Sequence, residues 1–156
     1  MVDIPFFPYR IFFLYIEPVS ALLGSIAAAM PAEYLKMLEF PSTPLASMAN
    51  VVVPTTTKVS LYQLSNLYLL FALNEYLVLS STNSARVWRR LLFCLLIADF
   101  GHLCTLLPLG SDIYWHAWEW NAMALGNVPF VYIGASMRLA FLFGVGLGSV
   151  VRSKSE

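Results

Sequence analysis

The chain has 156 residues, 59% of them hydrophobic and 12% charged, with a mean hydropathy of +0.71. A water-soluble domain usually carries about 25% charged residues, so the composition excludes that class and marks a small polytopic membrane protein. Nine basic residues balance nine acidic ones, which leaves no surplus to attract nucleic acid.

The first apolar span runs over residues 11–30, IFFLYIEPVSALLGSIAAAM, and carries Glu17 followed at once by Pro18. A signal peptide cleaved after Ala27-Ala28-Ala29 is opposed by the glutamate inside the apolar stretch and by a start without net charge. Pro18 has no amide hydrogen to give the carbonyl four residues back, so it kinks the helix and leaves an acceptor free beside Glu17. Residues 31–58 hold Pro31, Pro41, Pro44 and Pro54 among serines and threonines, the composition of a loop outside the membrane.

The second span covers residues 60–79. Steps of three and four residues put Gln63, Asn66, Leu70 and Asn74 on one stripe, which is expected to face a pocket. Glu75 lies nine residues from Asn66, half a turn away, so it either reaches the interface or pairs with another helix.

The third span, residues 91–109, reads LLFCLLIADFGHLCTLLPL. It is long enough to cross a hydrocarbon core of about 30 Å, yet it contains Asp99 and His102. A charged residue at that depth costs roughly 2.5–3.5 kcal/mol on insertion scales, and the two share a helix face one turn apart. An intramembrane acid/base pair is the functional expectation; a polar clamp that only specifies helix packing is the alternative. Cys94 and Cys104 sit ten residues apart on the same helix, about 15 Å, beyond disulfide reach. No His/Cys cluster with metal spacing and no glycine-rich phosphate loop is legible, so neither a metal nor a cofactor is expected.

Between the third and fourth spans, Trp115, Trp118 and Trp120 have the placement of a membrane-interface belt. The fourth span, residues 122–151, places Asn127, Gly134 and Arg138 on one face, and Gly144 and Gly148 at a spacing that suits close packing within a bundle or between copies, so a homo-oligomer stays open. The fold expected is all-α, a single bundle of four transmembrane helices. Arg10, Arg86, Arg89, Arg90, Arg152 and Lys154 fall on one side and only Lys36 and Lys58 on the other, which makes both termini cytoplasmic. Counting depth at 1.5 Å per residue gives two polar layers. Gln63, Asn66, His102 and Asn127 form the outer one, Asp99 lies near the midplane, and Glu17, Glu75 and Arg138 form the inner one. Arg138, the one base at that depth, is expected to pair with Glu17 or Glu75.

The motifs Glu17-Pro18-x-Ser20, Gln63-x-x-Asn66-x-Tyr68, Ala98-Asp99-x-x-His102 and Trp120-Asn121-Ala-Met-x-x-Gly126-Asn127, with Arg138 downstream, resemble a family of small four-span fungal membrane proteins. Some members of that family belong to natural-product pathways. More distantly the layout is similar to the EXPERA group, with its emopamil-binding sterol isomerases, and to the integral membrane terpene cyclases. The resemblance implies carboxylates within a helical bundle that protonate an alkene or epoxide, and residence in the endoplasmic reticulum.

Together these readings lead to an isomerase or cyclase, pericyclic chemistry included, that acts on a lipophilic, terpenoid or sterol-like molecule. Asp99 would be the general acid, with Glu17 as a second carboxyl, and His102 would orient the acid or recover its proton. Gln63, Asn66, Asn121, Asn127 and Arg138 would hold polar atoms of the substrate, and Tyr68 and Trp120 would stabilise a developing cation. A lipid- or sterol-binding protein without turnover and a structural membrane subunit remain as rivals.

Overall fold

The computed structural model describes residues 7–38 and 52–147, and every regular element among them is helical. Helix α1 spans Phe7–Ala28 and is followed by a short helix α2, Pro31–Leu38. Helix α3 spans Thr55–Ser80 and α4 Ala85–Thr105. Single turns of 3-10 helix lead to α5, Ala122–Asn127, and α6, Pro129–Leu142.

Three segments are long and apolar enough to cross a membrane: Phe7–Ala28, Ala85–Leu109 and Ala122–Leu142. The 26 residues of α3 are long enough but too polar to stand with them on composition. Its neighbours explain how it is accommodated. α3 lies antiparallel along α1, Ser25 meeting Ser65 near one end of the seam and Glu17 meeting Glu75 near the other. The two serine hydroxyls each donate to the other helix's backbone carbonyl at 2.8 Å, and the Tyr68 ring packs over Gly24, 3.6 Å from where a Cβ would stand, an ordinary contact distance. Helices α4 and α6 form a second antiparallel pair.

The principal apolar core joins the start of α1, the end of α3, the start of α4 and the end of α6. Tyr9, Phe13, Leu79, Trp88, Leu92 and Phe141 meet there. Trp88 and Phe141 stack at 5.7 Å, and Tyr9 meets Phe141 edge-on at 5.2 Å. Smaller clusters close the opposite end, one around Leu106, Ile113 and Val128, the other around Ala28, Tyr34 and Leu61.

The fourth apolar stretch differs from the expectation in two ways. It breaks at Val128, whose backbone (φ −116°, ψ −73°) leaves regular helix because the ring of Pro129 crowds the residue before it. It also ends at Leu142 rather than at residue 151, since Gly144 and Gly146 adopt φ of 77° and 71°, where a helix cannot continue. The Tyr9 hydroxyl secures that turn by donating to the Val145 carbonyl at 2.9 Å. Gly144 therefore lies outside the helix and forms no helical packing motif; Gly148 lies outside the described residues.

Candidate buried ionic site

Arg138 is wholly buried, and it gathers carboxylates from three other helices. Its Nη1 donates to Asp99 Oδ2 of α4 at 2.8 Å, and its Nη2 donates to Glu17 Oε1 of α1. Nη2 also stands 3.8 Å from Oε1 of Glu75 on α3, which is itself wholly buried. The Phe13 ring covers the guanidinium at 5.6 Å.

Local backbone features place each group. The first turns of α1 pass through a π-helical segment, Phe12–Ile16, and the Glu17 amide closes it by donating to the Phe12 carbonyl. Pro18 supplies the reason: without an amide hydrogen it cannot bond Leu14, so the chain takes a wider turn and turns Glu17 inward. Long side chains on a helix lean toward its N-terminus, and Arg138 accordingly lies back across Gly134. A Cβ there would come 2.8 Å from Nη1.

The Glu75 carboxyl faces that of Glu17, and neither Glu75 oxygen, nor Glu17 Oε2, nor Arg138 Nε finds a well-aligned hydrogen-bond partner. The cluster thus sets three carboxyl groups against one guanidinium. Among the described residues no group of His, Cys, Asp and Glu has the arrangement of a metal site.

The expected Asp99–His102 pair does not form. Asp99 turns to Arg138, whereas His102, one turn on, faces Asn127 and leaves its Nε2 without a partner. The midplane depth assigned to Asp99 did not separate it from the inner layer, because the arginine spans the gap by lying across a turn of α6.

Gln63 and Asn66 are also placed differently from the expectation. Together with Leu70 and Asn74 they are exposed on the outward side of α3, while Leu61, Ala72, Glu75 and Leu79 are its buried face. Tyr68 packs against Gly24 and hydrogen-bonds Tyr34. Trp120 Nε1 donates to the Ile113 carbonyl at 2.7 Å. Asn121 caps α5 by accepting from the Ala124 amide at 2.9 Å and donates to the Met37 carbonyl at 3.0 Å. Asn121 and Asn127 also line a cavity of about 10 Å³ with Met37, Leu38 and Leu109, room for one water molecule.

Glu75 was absent from the expected catalytic set, though not from the pairing expected of Arg138. Its signal was legible: Leu61, Ser65, Tyr68, Ala72, Glu75 and Leu79 recur in steps of three and four on one face.

What the fold and site define is a small all-helical protein with three apolar helices of membrane-spanning length packed around a buried arginine–carboxylate cluster. Residues 1–148 match the model of a domain of unknown function, DUF7704, and the chain belongs to that family. No curated protein matches the chain, and no solved structure does.

Proposed function

We propose that the chain crosses the membrane four times and that the Arg138 cluster is the acid/base centre of an isomerase or cyclase for a lipophilic small molecule. The crossing by α3, which adds to the three apolar segments, is supported by its seam with α1. Contacts from Ser25–Ser65 to Glu17–Glu75 hold the two helices at one depth along the second half of α1.

The observation that carries the acid/base reading is the surplus of carboxyl groups: Glu17, Glu75 and Asp99 share one guanidinium in an apolar interior. Three bare carboxylates there would leave two uncompensated charges, so the centre holds a proton, as closely opposed carboxyl pairs do. Asp99, bonded to the guanidinium, is the anchored carboxylate. The Glu17–Glu75 pair, with Glu17 Oε2 and both Glu75 oxygens unpartnered, is the better-placed general acid, which moves that role from Asp99 to the pair. Such an acid protonates an alkene, epoxide or carbonyl of a molecule dissolved in the bilayer. Its conjugate base then recovers a proton from a neighbouring carbon, and the product has the mass of the substrate. His102 and Asn127 supply a second polar point for a substrate oxygen. Residence in the endoplasmic reticulum with both termini in the cytoplasm accompanies this reading.

The closed packing favours a second reading. Arg138 and Glu75 are 0% exposed, and the cavity beside Asn127 has room for only a single water, as in a cluster that clasps helices in a lipid-binding or structural protein. Mass spectrometry of lipophilic molecules co-purified with wild type, Glu75→Gln and Asp99→Asn separates the two. An enzyme is expected to leave the precursor on Glu75→Gln and an isomer of equal mass on wild type. The same unchanged lipid on all three would sink the catalytic reading.

A further inference from the structure

The geometry points to the outward face of α3 as the interface between two copies of this chain, closed by carboxamide pairs along Gln63, Asn66 and Asn74. The inference rests on the four-span reading. The three amides recur with Leu70 at steps of three and four residues, so they form a straight stripe about 16 Å long. All four residues are exposed, and none of the three amides hydrogen-bonds to any described residue. The stripe lies opposite the face that carries Glu75 to Arg138.

Facing lipid, each carboxamide would be stripped of water with nothing in its place, and bilayer helices resolve that by bonding to another helix. The occupant follows from symmetry and from the chemistry of the group. Copies of one chain insert with the same orientation, so the axis relating them runs along the membrane normal and their α3 helices lie parallel. Residues of equal number then face one another. A carboxamide has both donor and acceptor, so Asn66 satisfies Asn66 of a second copy, as a buried asparagine does in a parallel coiled coil. A stripe of carboxylates or of ammonium groups would repel itself in that arrangement, and leucine at position 70 fills the space between the amide rungs.

The test uses the full chain with Cys94 and Cys104 replaced by alanine and Leu70→Cys introduced, reconstituted in phosphatidylcholine vesicles. Oxidation is expected to give a species of twice 17.5 kDa. Adding Gln63→Leu, Asn66→Leu and Asn74→Leu is expected to lower its yield about tenfold, a loss in keeping with one to two interhelical hydrogen bonds. The chain with only its native Cys94 and Cys104, both exposed on α4, sets the yield of random collision. Overturning results are a Leu70→Cys yield no higher than that control, an undiminished yield after the three leucine substitutions, or, in native membranes, an adduct with a different protein in place of the doubled species. A membrane-impermeant maleimide separates this failure from that of the four-span reading. Labelling of Leu70→Cys in sealed vesicles would sink α3 as a membrane span, whereas a protected thiol that does not cross-link sinks the dimer alone.

Discussion

Arg138 holds its guanidinium where a methyl group on residue 134 would have to fit. The arginine tip is flexible in principle, but Asp99 pins it at 2.8 Å and Glu17 holds its other nitrogen, so it cannot retreat without breaking an ion pair. Gly134→Ala is therefore expected to lower stability by about 1–3 kcal/mol, read as the unfolding midpoint in detergent. In an Asp99→Asn background the penalty should shrink, because the pin is weaker; an equal penalty in both backgrounds would mean that Gly134 serves helix packing alone. Removing the base is more severe than removing an acid. Arg138→Met leaves three buried carboxyl groups without a counter-charge and is expected to cost about 3–5 kcal/mol. Glu75→Gln, which keeps the size of the side chain and can donate to Glu17, should cost less than about 1 kcal/mol. That Arg138 needs Glu17 or Glu75 was legible in the sequence from depth alone. That Asp99 joins them was not, because helical arithmetic locates Cα atoms and takes no account of an arginine lying back across a glycine.

Among the helices, the seam of α1 and α3 is the most closely fitted. Two serines exchange hydroxyl bonds across it, and the Tyr68 ring packs over Gly24. Ser25→Ala and Ser65→Ala are each expected to cost about 0.6–1.7 kcal/mol. The double variant should cost less than their sum, since each hydroxyl also contacts the other at 3.2 Å. Strict additivity in a double-mutant cycle would show two independent bonds. The same helix also shows where sequence reasoning chose wrongly. Half a turn separates Asn66 from Glu75, so one of the two polar faces had to turn outward, and three amides were allowed to outweigh one carboxyl. A buried charge costs more to strand in hydrocarbon than a neutral amide does, so the face bearing Glu75 is the one that turns to the arginine.

For the molecule as a whole, the ends of the helices sort by charge. Arg10, Arg86, Arg89 and Arg90 cluster near the core built from Tyr9, Trp88 and Phe141, whereas Trp115 and Trp118 lie exposed at the opposite end. The four-span reading then fixes a topology that thiol labelling tests. Asp112→Cys is expected to react with an impermeant maleimide on the lumenal side of sealed microsomes, and Ser84→Cys on the cytoplasmic side. Finding both on one side would require an odd number of crossings between them to be abandoned. The helical class and the positions of the apolar segments were plain from hydropathy. The early end of the last helix was not, because three glycines at 144, 146 and 148 read equally well as a packing motif and as a stop. Only the left-handed backbone at Gly144 and Gly146 decides between them.

Since a ribosome delivers the spans one after another, the ionic cluster also sets an order of events. Glu17, Glu75 and Asp99 are all synthesised before Arg138, the residue that neutralises them. Until the last helix arrives, the nascent chain presents acids in search of a cation, which is the kind of unfinished state that insertion chaperones hold and quality control removes. A chain halted before Pro129 is accordingly expected to be degraded rapidly in cells, and co-expression of the missing segment carrying Arg138 should restore its lifetime, whereas the same segment with Arg138→Met should not.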